Sequence, residues 1–318
     1  FYEPLGHGTL GVMAELLMNP TFARDHYLPA VQLARLRQNG EALVQLYLKG
    51  IPADGLDSGW NPQIMSTGFG MSLLDDATQM DLPMGWSPLG YPGSSSSSLG
   101  NLGESVRLQG GRWPLDKRVR WSGLDEAPAG VRQGVFLPIR RCQGYHGDVW
   151  LRIASTNPDS RGEVEIGFRR RDSMPDHSKQ AGEILDSQRI DVMGKEWVNL
   201  AYELTLEGKH VAFGEPIDFY IRWLPRSHPE LNLLLDRAVL FPEDAIDGFD
   251  PEIVQLSRDW PVPLLRWPGG NFVSFFRWRD GIGPVYRRPT IKNHAWGGLE
   301  YNLFGTDEFI SFCQHIGA

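Results

Sequence analysis

The residues of this 318-residue chain best suited to chemistry gather in one stretch, LLRWPGGNFVSFFRWRDGIGPVYRRP, from Leu264 to Pro289. A short apolar run reaches Arg266 and Trp267, breaks at Pro268-Gly269-Gly270 and delivers the Asn271 amide. A glycine pair gives the backbone room for a tight turn or for close approach of a ligand. Aromatic and charged residues then alternate in a stretch too polar to bury. Such groups suit a neutral polyol, which needs amide and carboxylate hydrogen bonds plus an apolar face. Other chemistries fit less well. GHGTLG, with Gly6, Gly8 and Gly11, has the spacing of a dinucleotide fingerprint. Pro4 interrupts the strand that should precede it, however, and no second Val/Ile-rich strand follows at the right distance. Metal spacings such as H-E-x-x-H or C-x-x-C are absent, and Cys142 and Cys313 make neither a disulfide framework nor a metal cluster. No cofactor is called for.

Composition narrows the partners. With 31 Lys+Arg against 39 Asp+Glu the net charge is −8, which argues against a nucleic acid. No apolar run approaches the ~20 residues that cross a bilayer, so no membrane partner is expected. Eleven tryptophans are a level often met where flat apolar ligand faces are stacked. The first residue is Phe1 rather than Met, without a signal-peptide pattern, and Ala318 follows directly on a helix C-terminal signal. Both ends are expected to be cuts through a longer protein. The location is therefore left unknown, leaning only towards secreted or periplasmic, and the oligomeric state is not read.

The elements that must position these residues follow from periodicity. From Pro29 to Lys49 the pattern is helical, with Asn39-Gly40 as a break. A flexible Gly/Ser stretch, GYPGSSSSSLGNLG, comes before a series of short alternating strands. Val149, Leu151 and Ile153 share one face, as do Val164, Ile166 and Phe168. Val198 to Leu204, Ile217 to Trp223 and Leu231 to Leu235 continue the series. Period-two strands separated by Gly, Pro, Asp and Ser turns indicate an antiparallel sandwich. After Asp250 the period becomes helical, with Asp250 as N-cap, Pro251 in the first turn, and Ile253, Leu256 and Trp260 as the apolar stripe. PVPLLRW is the next expected strand. Thr306 is expected to cap a last helix that buries Phe309, Phe312, Cys313 and Ile316 and ends at Gly317. Helix, strand, long loop and helix are the order of a β/α barrel in progress.

Three segments, FYEPLGHG, RWPGGNF and HAWGGLEYNLFGTDEF, together resemble the α-L-arabinofuranosidases of glycoside hydrolase family 51. The likeness is nearly unbroken from Leu264 to Ala318. It takes in Arg266 to Phe272, Asp280 to Pro284, Arg288-Pro289, Trp296, Glu300 to Gly305 and Thr306 to Phe309. At the N-terminus it is looser, and Pro4 and the GTLGV turn depart from the pattern. The resemblance implies a multidomain α/β plus all-β chain. It would be an incomplete (β/α)8 TIM barrel (its first two β/α units) carrying an inserted antiparallel jelly-roll sandwich like a carbohydrate-binding module. The domains would be 1–59 for the first barrel strand, loop and helices, 60–246 for the sandwich, and 247–318 for the truncated second barrel unit.

The same resemblance implies the site. Glu3, Asn271 and Trp296 would contact the sugar, with Arg266 supporting the neighbouring catalytic carboxylates and Gly270 shaping the turn behind them. His7 and His294 are expected to be structural, and Trp150, Trp197 and Trp223 core rather than a sugar platform. Retaining glycosidases use two carboxylates ~5–5.5 Å apart. In the family both come from later barrel strands, so neither is expected within this chain, and no metal is. The implied function is the N-terminal part of a retaining, exo-acting α-L-arabinofuranosidase. It would release terminal arabinofuranosyl groups from arabinan, arabinoxylan or related plant oligosaccharides, and the 318 residues alone would be inactive. An endo-glucanase on the same scaffold and a non-catalytic carbohydrate-binding protein are the alternatives.

Overall fold

The computed structural model describes residues 12–17, 19–21, 86–88, 106–110, 117–122, 130–171, 182–215, 217–225, 232–260, 263–274, 276–292 and 299–318. Ten strands form two five-stranded antiparallel sheets. The first has the order β1-β4-β9-β6-β7, from β1 (Ser87–Pro88), β4 (Gly130–Val135), β6 (Arg161–Arg170), β7 (Ile184–Met193) and β9 (Ile217–Pro225). The second has the order β2-β3-β10-β5-β8, from β2 (Val106–Gly110), β3 (Lys117–Ser122), β5 (Gly144–Ala154), β8 (Val198–Thr205) and β10 (Asn232–Pro242). The alternation read from the sequence becomes register. Val164, Ile166 and Phe168 of β6 lie opposite Trp223, Ile221 and Phe219 of β9. Leu151 and Ile153 of β5 face Leu235 and Leu233 of β10. All these side chains are fully buried between the sheets, where each contributes about 1.5–3 kcal/mol of apolar burial.

A second, smaller core lies outside the sandwich. Val12, Met13, Phe249, Val254, Phe304, Phe312 and Ile316 form it, with Trp267 and Phe309 packed against it. Helix α1 (Pro251–Asp259) is capped by Asp250, whose carboxylate accepts from the Glu252 and Ile253 amides. Its buried residues are Val254 and Ser257; of the expected apolar stripe, Ile253 is half-buried against the core while Leu256 and Trp260 are exposed. Ser257 enters the core because its hydroxyl is satisfied by the Ile253 carbonyl at 2.7 Å. Helix α2 (Thr306–Ile316) starts at the expected cap itself, so the true cap lies one residue earlier. Gly305 holds the N-cap position, its amide donating to Glu308 at 2.8 Å, and Gly317 closes the helix at φ 76°. A side chain on Gly305 would run into the Gly281 carbonyl, so two turns meet backbone to backbone here.

The strand expected at Pro263 to Trp267 does not appear. Residues 264–266 have no regular structure, and Leu264 is 80% exposed. A parallel strand exists only through its ladder neighbours, and no described residue supplies one. A short hairpin, β11 (Ile291–Lys292) with β12 (Leu299–Glu300), follows the long loop.

The two cores are joined by residues 12–17 and 19–21, which run beside β10. β3 pairs with β10 only as far as Leu235, and a bulge follows between Leu235 and Arg237. The edge left open takes the N-terminal segment. Ala238 donates to Pro20 at 3.0 Å, Leu16 donates to Leu240 at 2.9 Å, and Met13 bridges to Phe249. Leu17 enters the sandwich core, and Val12 and Met13 the smaller one.

Candidate functional site

The turn that opened the sequence argument is formed as its residue types require. Gly269 and Gly270 take φ of 66° and 57°, the left-handed region that favours glycine, after a cis Trp267–Pro268 peptide. Asn271 begins the 3-10 turn Asn271–Ser274 directly behind them. Trp267 anchors the turn from below. Its ring lies 4.9 Å from Phe304, 5.5 Å from Phe276 and 5.9 Å from Phe309, centroid to centroid. The Trp267 Nε1 is buried without a partner among the described residues. Arg266 is exposed and forms no ion pair with any described residue.

Arg288 is the organising charge of this region. Its buried guanidinium makes a two-pronged pair with Glu308, Nη1 to Oε2 at 2.7 Å and Nη2 to Oε1 at 2.8 Å. It also donates to the carbonyls of Gly283, at 3.0 and 2.8 Å, and Asn302, at 3.0 Å. Asn302 in turn donates from its amide side chain to the Pro289 carbonyl at 2.6 Å and sits at φ 53°. One arginine therefore ties the Asp280-to-Pro289 loop, the segment after β12 and the start of α2 together. A planar, permanently charged fork suits that task.

Two half-buried acids stand out electrostatically. Burial pushes Glu300, at the end of β12, up to about 7, against a single opposing hydrogen bond from the Asn302 amide. Burial likewise pushes Glu15 up to about 8. Its Oε1 accepts from Leu240 at 3.0 Å and Leu17 at 2.9 Å, standing in for a missing ladder carbonyl at the β10 edge. Its Oε2 has no partner among the described residues. Neither acid has an expected role from the sequence. A lone acid inside the apolar VMAELLM run was the available signal for Glu15.

Of the residues expected to touch sugar, Glu3 and Trp296 lie outside the described residues, and of Asn271 only the backbone is described. His7 and His294 also lie outside them. Gly270 is at the exposed crest of the turn, with open space where a side chain would project. Trp223 is core, whereas Trp150 is only half-buried and stacks on Tyr286 across the joint between the two parts. No group of three or more His, Cys, Asp or Glu is placed to hold a metal among the described residues.

Residues 258–318, which carry this turn, the Arg288 hub and α2, match the α-L-arabinofuranosidase 1 domain. The chain resembles the α-L-arabinofuranosidases of glycoside hydrolase family 51. The intracellular exo-α-(1→5)-L-arabinofuranosidase of Halalkalibacterium halodurans is 43% identical over 77 residues, 24% of this chain and 15% of that protein. The intracellular exo-α-L-arabinofuranosidase of Bacteroides ovatus is 45% identical over 73 residues, 23% of this chain and 14% of its own length. The match therefore takes in only a small part of these curated arabinofuranosidases. Across the whole fold, the arabinose-bound MgGH51 α-L-arabinofuranosidase superposes with a TM-score of 0.60 at 15% identity. That alignment covers 96% of this chain and 40% of the other. At that identity the likeness is one of fold, and it takes in the sandwich as well as the arabinofuranosidase segment.

Proposed function

We propose that the full-length protein is a retaining, exo-acting α-L-arabinofuranosidase that removes terminal arabinofuranosyl groups from arabinan or arabinoxylan. The observation that carries this reading is the match of residues 258–318 to the arabinofuranosidase domain. It coincides with a turn built to push Asn271 forward on two left-handed glycines. Glu3, Asn271 and Trp296 bind the sugar in this reading: carboxylate and amide hydrogen-bond ring hydroxyls, and the indole covers an apolar face. Gly270 keeps the approach open, and Arg266 neighbours the catalytic carboxylates. The reaction takes two carboxyls ~5–5.5 Å apart, one acid/base and one nucleophile, and neither is drawn from these 318 residues. It needs no cofactor. The first barrel piece, the sandwich and the second barrel unit are the domains 1–59, 60–246 and 247–318.

Hydrolysis of an aryl α-L-arabinofuranoside by the full-length protein, set against a soluble cellulose, tests the reading. Turnover of the arabinofuranoside with retention of anomeric configuration is the expected result. Cleavage of the cellulose alone would favour the endo-glucanase alternative. The isolated 318 residues are expected to give no turnover above background.

A further inference from the structure

Among the described residues, contacts from one face of its second sheet carry the sandwich to the candidate site. Trp150 of β5 and Arg237 of β10 are register partners on adjacent strands. Trp150 stacks on Tyr286, ring centroids 4.8 Å apart and planes 24° from parallel. Arg237, 5% exposed, donates from Nη1 to the Val285 carbonyl at 3.0 Å. Both contacts fall on one turn, Val285–Arg287. The N-terminal segment adds a third tie just beyond it, between the buried hydroxyls of Thr21 and Thr290, 2.6 Å apart. From there the chain passes directly into β11, which pairs with β12. Arg288 fastens the opposite side of the same segment to Asn302 and α2.

We propose that the sandwich is a brace for the sugar site. Trp150 and Arg237 act as positioning residues that hold the Val285–Thr290 segment, which Arg288 ties to Asn302 and α2. The physical case rests on where order comes from. Val285–Arg287 is a single 3-10 turn with none of its residues fully buried. Its own backbone bonds are few, Arg287 to Pro284 at 2.9 Å and Arg288 to Val285 at 3.1 Å. Short turns of this kind open at low free-energy cost unless neighbours hold them. β5 and β10 are hydrogen-bonded neighbours inside their sheet, and their inward side chains Leu151, Ile153, Leu233 and Leu235 are fully buried, so they offer a rigid wall. An offset aromatic stack on that wall fixes the direction of the turn as well as its depth. Arg288 passes that fixity from the turn to the segment after β12 and to α2, within the part of the chain that matches the arabinofuranosidase domain, and a small misplacement far from the chemistry is enough to slow it.

This inference rests on the arabinofuranosidase reading, and its test has one arm that does not. In the full-length protein, Trp150→Ala and Tyr286→Ala are each expected to lower kcat/KM for an aryl arabinofuranoside about tenfold. The double variant should fall no further than either single one, because both remove one and the same stack. Trp150→Phe should restore most of the activity. In parallel, limited trypsin digestion under native conditions reads the turn itself through cleavage after the exposed Arg287. Trp150→Ala should accelerate that cut about tenfold while the unfolding midpoint of the sandwich stays put. Additive losses in the double variant, or wild-type kcat/KM together with an unchanged cleavage rate in Trp150→Ala, would overturn the brace. If the wild type shows no glycosidase activity, the functional reading fails on its own. The trypsin arm then decides the brace alone: faster cleavage supports it, and an unchanged rate refutes it.

Discussion

The sandwich and the joint beside it bury carboxylates in opposite ways. On the outer face of the first sheet, Asp218 is surrounded by Arg132, Arg169 and Arg171 at 2.7 to 3.3 Å. Burial would raise its pKa, yet the three guanidinium groups hold it below the ordinary carboxylate range. Glu165 is held low in the same way, against burial, by the Tyr220 hydroxyl, Arg222 and Arg189. Each acid is compensated several times over by neighbours on adjacent strands. At the joint, Glu15 shares a single cation, Arg237, with Asp148, and burial leaves the pKa of both acids raised. Charge on the sheet face is thus fixed by the sheet, whereas charge at the joint depends on protonation. The difference separates a self-contained structural unit from a contact between units.

Four perturbations test that contrast. The largest effect belongs to the sandwich core. Trp223→Ala empties a fully buried site whose indole fills the space over Gly162, and denaturant titration should show a loss of roughly 3–5 kcal/mol. Second comes Arg288→Met, which strands Glu308 and the carbonyls of Gly283 and Asn302. It should cost about 3 kcal/mol, seen in the unfolding of the smaller core and not in the sandwich transition. A single shared transition shifted equally by both variants would show that the two parts fold as one unit.

The third perturbation is pH. Glu15 has a folded pKa of about 8 against an ordinary value of 4.5, so the folded state holds an extra proton between those limits. Its favourable contribution is complete below pH 4.5 and is lost as pH rises towards 8. The slope is about 1.4 kcal/mol per pH unit, and between pH 6 and 8 the loss is roughly 2–3 kcal/mol. Glu15→Gln keeps the acceptor for Leu17 and Leu240 but cannot ionise. Its stability at pH 8 should exceed that of the wild type, and an identical pH profile in the two proteins would remove Glu15 from the account. The smallest effect is expected from Asp250→Ala. Losing the α1 cap should cost about 1 kcal/mol, together with the Arg141 contact at 3.1 Å, read as a modest drop in thermal midpoint.

What the sequence disclosed follows the range of the interactions involved. Val164, Ile166 and Phe168 announce β6 because alternation is a local property. β7 escaped notice because it is an edge strand, with only Leu185 and Val192 buried among polar residues. The helix at Asp250 was legible from its cap, but its facing only in part. A stripe drawn through Leu256 and Trp260 could not anticipate that Ser257 would satisfy its hydroxyl internally and enter the core. The strand expected near Leu264 depends on ladder partners that no local pattern supplies. At the site, the Pro-Gly-Gly-Asn turn was readable from residue types alone. The aromatic bed under Trp267, the Arg288 hub and the open β10 edge that accounts for Glu15 are contacts between distant segments, and no spacing rule reveals them.

The central claim is that Asn271 is presented to a furanose in an arabinofuranosidase site. The most direct measurement is kcat/KM for an aryl α-L-arabinofuranoside in the full-length protein, wild type against Asn271→Ala. The account predicts activity in the wild type and a loss on the order of 1–3 kcal/mol in transition-state stabilisation in the variant, with the fold intact. Equal kcat/KM in the two proteins would make Asn271 a turn residue only and contradict the site assignment.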